Sequence, residues 1–212
     1  METNLTKNLL ALFLLLIPIR SSFSQLSNKL EPIDVFDLEY VSNPQISSQG
    51  DKILYQRNFK DIMTDSNLSN IWIVNFDGSD NRPVTTGNSN DFSPRWSNSG
   101  KMFTYKSDLD GNTQLYLHNL ENNTTQKLTN LQTSVEKVEW SDDDKYLLFT
   151  SFVENTKNEL IKMPSKPEGA EWNKPPIEID DMVYRYDGGG YRKNGNTQIF
   201  ILPVEGGTPR QV

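Results

Sequence analysis

The chain has one histidine, His118, and no cysteine, so its capacity for nucleophilic and acid–base chemistry is narrow. A Ser–His pair needs a serine presented on a tight strand-to-helix turn, which the pattern G-x-S-x-G builds. That pattern is absent, because Gly78-Ser79 lacks both the preceding spacing and the following glycine. His118 sits inside the alternating segment QLYLHNL and reads as a strand histidine at a sheet surface rather than a general base. Ser107–Asn112, SDLDGN, begins like a calcium loop, but no bidentate glutamate follows at the required distance, so it reads as a polar hairpin turn. Asp142, Asp143 and Asp144 read as a solvated turn. Gly188–Gly190 is followed by Tyr191 rather than by Lys and Ser/Thr, which excludes a phosphate loop. No metal site and no cofactor are expected.

The elements that would have to position any chemistry come from a repeat. NPQISSQGDKILYQR from Asn43, SPRWSNSGKMFTYKS from Ser93 and KVEWSDDDKYLLFTS from Lys137 lie over one another. Each has an apolar residue (Ile46, Trp96, Trp140), a serine, a polar turn and an alternating apolar strand. A second strand follows in each (NIWIVNF, QLYLHNL, QIFILPV), then a short closing segment (RPVTTG, QKLTN, RQV). The spacing tests the alignment. Trp96 to Trp140, Ile71 to Leu115 and Val84 to Leu128 are each 44 residues apart. Leu115 to Ile199 and Leu128 to Val212 are each 84, so the third copy carries a 40-residue insertion and then recovers its register.

A period in the low forties with several short strands per copy marks β-propeller blades. Such a sheet buries little by itself, and stacking face to face covers the aromatic faces of both partners. The alternation in KMFTYKS puts Phe103 and Tyr105 on one such face, and Trp96 and Trp140 read as inter-blade packing. The fold expected is therefore all-β: a partial β-propeller of about three four-stranded antiparallel blades, over 44–93, 94–137 and 138–212. The insertion covers about 155–196. Ahead of the blades, EPIDVFDLEYVSNP predicts one short helix within 25–43, with Asp34 as its N-cap and its end before Asn43-Pro44.

Charge and the first residues bound the setting. Asp and Glu outnumber Lys and Arg by 28 to 21, and the pI near 4.8 argues against a nucleic-acid partner. After Lys7, an apolar run from Leu9 to Ile19 is too short for a membrane span and fits the core of a secretory signal peptide. Ser22 and Ser24 place cleavage after Ser24, leaving a mature chain of net charge −8. The protein is expected to be exported, periplasmic or secreted, with no membrane contact after cleavage. Three blades fall short of the typical four to eight that close a ring. The reading therefore expects this chain to be the front part of a longer polypeptide.

The insertion is the informative stretch, since loops this long inside a compact domain are uncommon and often functional. Its KPEGAEW and IDDMVYRYDGGGY segments join DVFDLEYVSNPQISSQGDKILY, SPRWSNSGK and QIFILPVEGGTPRQV in one pattern. Together they resemble the N-terminal part of exported bacterial serine peptidases of the prolyl oligopeptidase family, in the acylaminoacyl-peptidase and dipeptidyl-peptidase branch. The resemblance implies a propeller gating access of short peptide substrates to a C-terminal α/β-hydrolase domain of the same chain. That domain would hold Ser, Asp and His and act through an acyl-enzyme. None of the three maps onto these 212 residues, so no catalytic residue is assigned and the chain alone is expected to be inactive. By analogy of location, Glu168 and Glu171 are candidates to hold a substrate's free α-amino group, with Arg185 or Tyr186 meeting peptide carbonyls. The competing reading is a non-catalytic exported propeller that binds or scaffolds a partner, of the kind found in the Tol system.

Overall fold

In each repeat, β-branched and aromatic residues alternate with polar ones. In the computed structural model each repeat forms one four-stranded antiparallel sheet. The structure describes residues 29–155, 164–173, 179 and 182–212. The first sheet orders β1 (Tyr40–Ile46), β2 (Lys52–Asp61), β3 (Ser66–Asn75) and β4 (Arg82–Pro83) in chain order. The second orders β5 (Asp91–Trp96), β6 (Met102–Ser107), β7 (Gln114–Asn119) and β8 (Thr124–Lys127). The insertion contributes β11 (Arg185–Tyr186) and β12 (Gly190–Tyr191), a separate two-stranded ribbon. The third sheet comprises β9 (Val135–Trp140), β10 (Tyr146–Glu154), β13 (Gly195–Pro203) and β14 (Arg210–Gln211).

The chain divides into two compact units, Met1–Val35 and Phe36–Val212. The expected leader, residues 1–24, lies outside the described residues. The short helix is a 3-10 helix over Pro32–Asp37, and Asp34 sits inside it rather than capping it. Its carboxylate accepts the Glu31 N–H at 2.8 Å. The helix does not continue toward Asn43-Pro44, because Tyr40 already pairs with Asn58 as the start of β1. Pro44 is tolerated there because β1 is an edge strand with a register shift between Ser42 and Gln45. No described helix is long and apolar enough to cross a membrane.

Strand register explains which residues meet. Leu54, Ile71 and Ile73 occupy the forward face of the first sheet and pack on Phe103 and Tyr105 from the back face of the second. Leu115 and Leu117, on the forward face of the second sheet, pack on Leu147, Phe149 and Leu202 of the third. Each interface thus pairs a forward face with a back face. The forward face of the third sheet lacks such a cover among the described residues. Ile199 is 46% exposed where its repeat equivalents Ile71 and Leu115 are fully buried, and Val212 is 71% exposed where Leu128 is 6%.

The two tryptophans do more than fill space. Trp96 Nε1 donates to the Gln45 carbonyl at 2.9 Å, and Trp140 Nε1 donates to the Arg95 carbonyl at 3.1 Å. Both acceptors directly precede the matching apolar residue of the preceding sheet, so the bond repeats with the blade. Asp144 also departs from its expected part as a solvated turn. It holds φ 57° where Gly50 and Gly100 hold 73° and 67°, the left-handed region that Asp enters more readily than most residues. Its carboxylate accepts the backbone N–H groups of Asn98 and Ser99 at 2.7 and 2.8 Å, tying the third sheet's turn to the second's.

Thr104 is fully buried on the forward face of the second sheet, at the position held by Leu54 in the first, and its hydroxyl has no partner among the described residues. An unpaired buried hydroxyl costs about 1–3 kcal/mol, so the near-isosteric Thr104→Val should raise the thermal midpoint. A midpoint equal to or below that of the parent chain would contradict this.

His118 lies mid-strand on a face of its sheet, as its sequence context suggests, and that face is covered by the first sheet. It pairs with Phe103 across β6–β7 and shares that residue's back face, where it is 3% exposed with its ring centroid 5.1 Å from that of Phe103. Nδ1 contacts Thr125 Oγ1 at 2.9 Å, while Nε2 has no partner among the described residues. Burial, reinforced by the Arg82 guanidinium, holds its pKa below the ordinary histidine value of 6.5. A base with a depressed folded-state pKa leaves stability untouched above that ordinary value. As pH falls through about 6.5 the unfolded chain takes up the proton and the folded chain does not, so stability declines until the folded-state pKa is passed. The thermal midpoint of His118→Leu should therefore fall less between pH 7.5 and pH 5.5 than that of the parent chain. Equal losses in both would mean that His118 does not carry this pH dependence.

Candidate functional site

The insertion leaves the third sheet at its β10–β13 end, the end that carries the β2–β3 and β6–β7 turns in the other sheets. Its root is well defined. Glu154 pairs with Gly195, the Asn155 N–H donates to the Asn194 carbonyl at 2.9 Å, and Lys193 Nζ lies 2.9 Å from the Glu154 carboxylate. Gly195 is required here by close approach rather than by turn geometry. A Cβ on it would sit 2.3 Å from the Val153 carbonyl oxygen and 2.5 Å from the Phe152 ring.

Gly188, in the turn between β11 and β12, and Gly190, the first residue of β12, both hold positive φ, so the glycine run builds a hairpin. Gly189 N–H donates to the Tyr186 carbonyl and Arg192 N–H to that of Tyr184. The ribbon is faced with aromatic side chains. The Tyr184 and Tyr191 ring centroids are 6.4 Å apart, and the Arg185 guanidinium lies 5.8 Å from the Tyr191 centroid. Tyr186 is exposed beside them.

Of the four site candidates, the structure brings only Arg185 and Tyr186 together, as neighbours on β11. Glu168 and Glu171 lie in an exposed stretch without helix, turned at Gly169 and closed by an Ala170 N–H to Pro167 carbonyl bond. No hydrogen bond or ion pair among the described residues joins either glutamate to the ribbon. The arrangement offers an exposed cation, phenol hydroxyls and two solvated carboxylates, which suits hydrogen bonding to a polar chain and provides no nucleophile. Among the described residues no group of three or more His, Asp or Glu side chains is placed to hold a metal.

Four-stranded antiparallel sheets in chain order, stacked forward face to back face, are β-propeller blades. The chain belongs to the TolB beta propeller domain family, whose profile matches residues 40–171. It is 29% identical over 180 residues to an uncharacterized peptidase, YuxL, of Bacillus subtilis, which covers 84% of this chain and 27% of that protein. It is 40% identical over 121 residues to dipeptidyl-peptidase 5 of Porphyromonas gingivalis, covering 57% of this chain and 18% of the relative. The chain thus spans about a quarter or less of the curated relatives it matches. In fold it is similar to the acylaminoacyl peptidase of Pyrococcus horikoshii, with TM-score 0.63 and 17% identity over 84% of this chain and 25% of that one. The segment is a propeller homologous to parts of the two curated peptidases, and it shares its fold with part of the third.

Proposed function

We propose that this chain is the substrate-access propeller of an exported serine peptidase of the prolyl oligopeptidase family that hydrolyses short peptides. The carrying observation is the pattern of coverage: most of this chain aligns with a peptidase of which it spans 27%. In this reading a C-terminal α/β-hydrolase domain supplies serine, aspartate and histidine. Serine attacks the scissile carbonyl, histidine takes and returns the proton, and an acyl-enzyme is hydrolysed. The bare forward face of the third sheet, with Leu148 43% and Ile199 46% exposed, supports a further blade seated there. A ring of blades over the active site would admit short peptides and exclude folded proteins. The TolB name of the matching family favours the second reading, a non-catalytic exported propeller that binds a partner.

Within the peptidase reading, Glu168 and Glu171 hold the substrate's free α-ammonium, and Arg185 or Tyr186 meets its carbonyls. Both carboxylates are solvated in this chain, so the rest of the protein must shield them before the contact gains strength. In the full-length protein, Glu168→Lys with Glu171→Lys should lower kcat/KM on free-amino dipeptidyl substrates by about 10–100-fold, the scale of a lost charged hydrogen bond. Substrates with a blocked amine should be affected far less. Unchanged kcat/KM on the free-amino substrates would end the assignment of these two residues.

A further inference from the structure

Between the first two sheets the packing changes character along the strands. At one end lie Leu54, Ile71, Phe103 and Tyr105. Toward the β2–β3 and β6–β7 turns the sheets part around a cleft of about 540 Å³, on the end of the molecule from which the insertion also leaves. Its floor is built of carboxamides. Asn43 Nδ2 donates to Gln56 Oε1 at 2.9 Å, Gln56 Nε2 to Asn58 Oδ1 at 2.7 Å, and Asn58 Nδ2 to Ser42 Oγ at 2.9 Å. Gln56 and Asn58 are each only 9% exposed. Burying such a relay beside the apolar cluster of Leu54, Ile71 and Phe103 stabilises the chain less than hydrocarbon would.

Backbone strain aims this floor. Asn43 and Ser93, at φ 50° and 54°, occupy the bulges of β1 and β5, and each precedes a proline. The two bulges converge on one atom, since Gln56 Oε1 also accepts the Ser93 N–H at 3.4 Å. Bulges re-aim side chains, and residues held in sparsely populated backbone regions gather at ligand sites. The charges at the rim are already engaged. Lys60 Nζ donates to Asn67 Oδ1 at 2.6 Å, and the Asp108 carboxylate accepts both the N–H and the side-chain amide of Asn90. The carboxamide oxygens of Asn43 and Asn90 and the side-chain nitrogen of Asn67 have no protein partner among the described residues. Tyr40, Phe59 and Phe92 supply apolar wall.

We infer that this inter-blade cleft is a binding site for an extended, uncharged peptide segment whose main-chain amides pair with the unpartnered carboxamide groups. A carboxamide offers a donor and an acceptor together, the complement of a peptide group, and engaged rim charges disfavour an ion. The choice of peptide over another neutral hydrogen-bonding ligand rests on the peptidase reading; the cleft itself does not.

The test titrates the 212-residue chain with acetyl-tetraalanine amide and, separately, with maltotetraose. The readout is the side-chain amide NMR resonances of Asn43, Gln56 and Asn58. The capped peptide should shift these resonances saturably. Thr113→Trp, which plugs the mouth without touching the relay, should weaken binding at least tenfold, and Asn67→Trp, at an exposed rim position, should do the same should Thr113→Trp fold poorly. No shift with the peptide, a shift that survives both plugs, or a shift with the saccharide alone would each overturn the inference. The peptidase reading would be untouched by those results, because it is judged on the activity of the full-length protein.

Discussion

Leu115→Ala is expected to cost the 212-residue chain about 2–5 kcal/mol, the range for emptying a closed apolar site. Leu115 is fully buried between the second and third sheets, where Val135, Val138 and Phe149 belong to the same cluster. Ile199→Ala, one repeat later at the same position, should cost under about 1 kcal/mol, because the side chain is 46% exposed and truncation leaves no sealed cavity. Urea denaturation of both variants beside the parent measures the pair. Equal costs would mean that the third sheet's forward face is covered in solution. In the longer polypeptide proposed here, Ile199→Ala should instead approach the cost of Leu115→Ala, since a following blade would close the site.

The second large effect lies at the root of the insertion. Gly195→Ala places a methyl 2.3 Å from a backbone carbonyl and 2.5 Å from the Phe152 ring, so no side-chain rotation alone relieves it. The β10–β13 ladder must shift at Glu154, and overpacking of this kind costs about 1–3 kcal/mol. Thermal melting should show the loss, and limited proteolysis should cut the insertion sooner than in the parent. A parent-like melt with an unchanged cleavage rate would mean that the two strands do not approach this closely.

Much of this architecture was legible because the repeat has fixed spacing. The 44- and 84-residue offsets aligned Ile71, Leu115 and Ile199, and the structure places all three on the third strand of their sheets. The alternation through Phe103 and Tyr105 gave their shared face directly. What escaped depended on neighbours rather than on local pattern. Ile33, Phe36, Leu38 and Tyr40 fit a helical stripe, yet Tyr40 is claimed by Asn58, eighteen residues on, as the first pair of the sheet. His118 alternates like an exposed residue, and only its pairing with Phe103 reveals that it faces the first sheet. The bridging carboxylate of Asp144 was hidden in a run of three aspartates, of which only the one at the left-handed position reaches the neighbouring turn. Asn43, Gln56 and Asn58 are polar residues scattered over two strands, and register alone gathers them into a cleft floor. For Glu168 and Glu171 the sequence offered location without geometry, and the chain leaves both carboxylates in solvent.

On the proposed function, these blades belong to a serine peptidase whose nucleophile lies elsewhere in the polypeptide. The most direct measurement is fluorophosphonate labelling of the natural gene product, followed by peptide mapping of the modified residue. A single labelled serine, C-terminal to Val212 and set within G-x-S-x-G, is the predicted result. A product that takes no label and consists of further sheet-forming repeats alone would contradict the claim and leave the partner-binding propeller in its place.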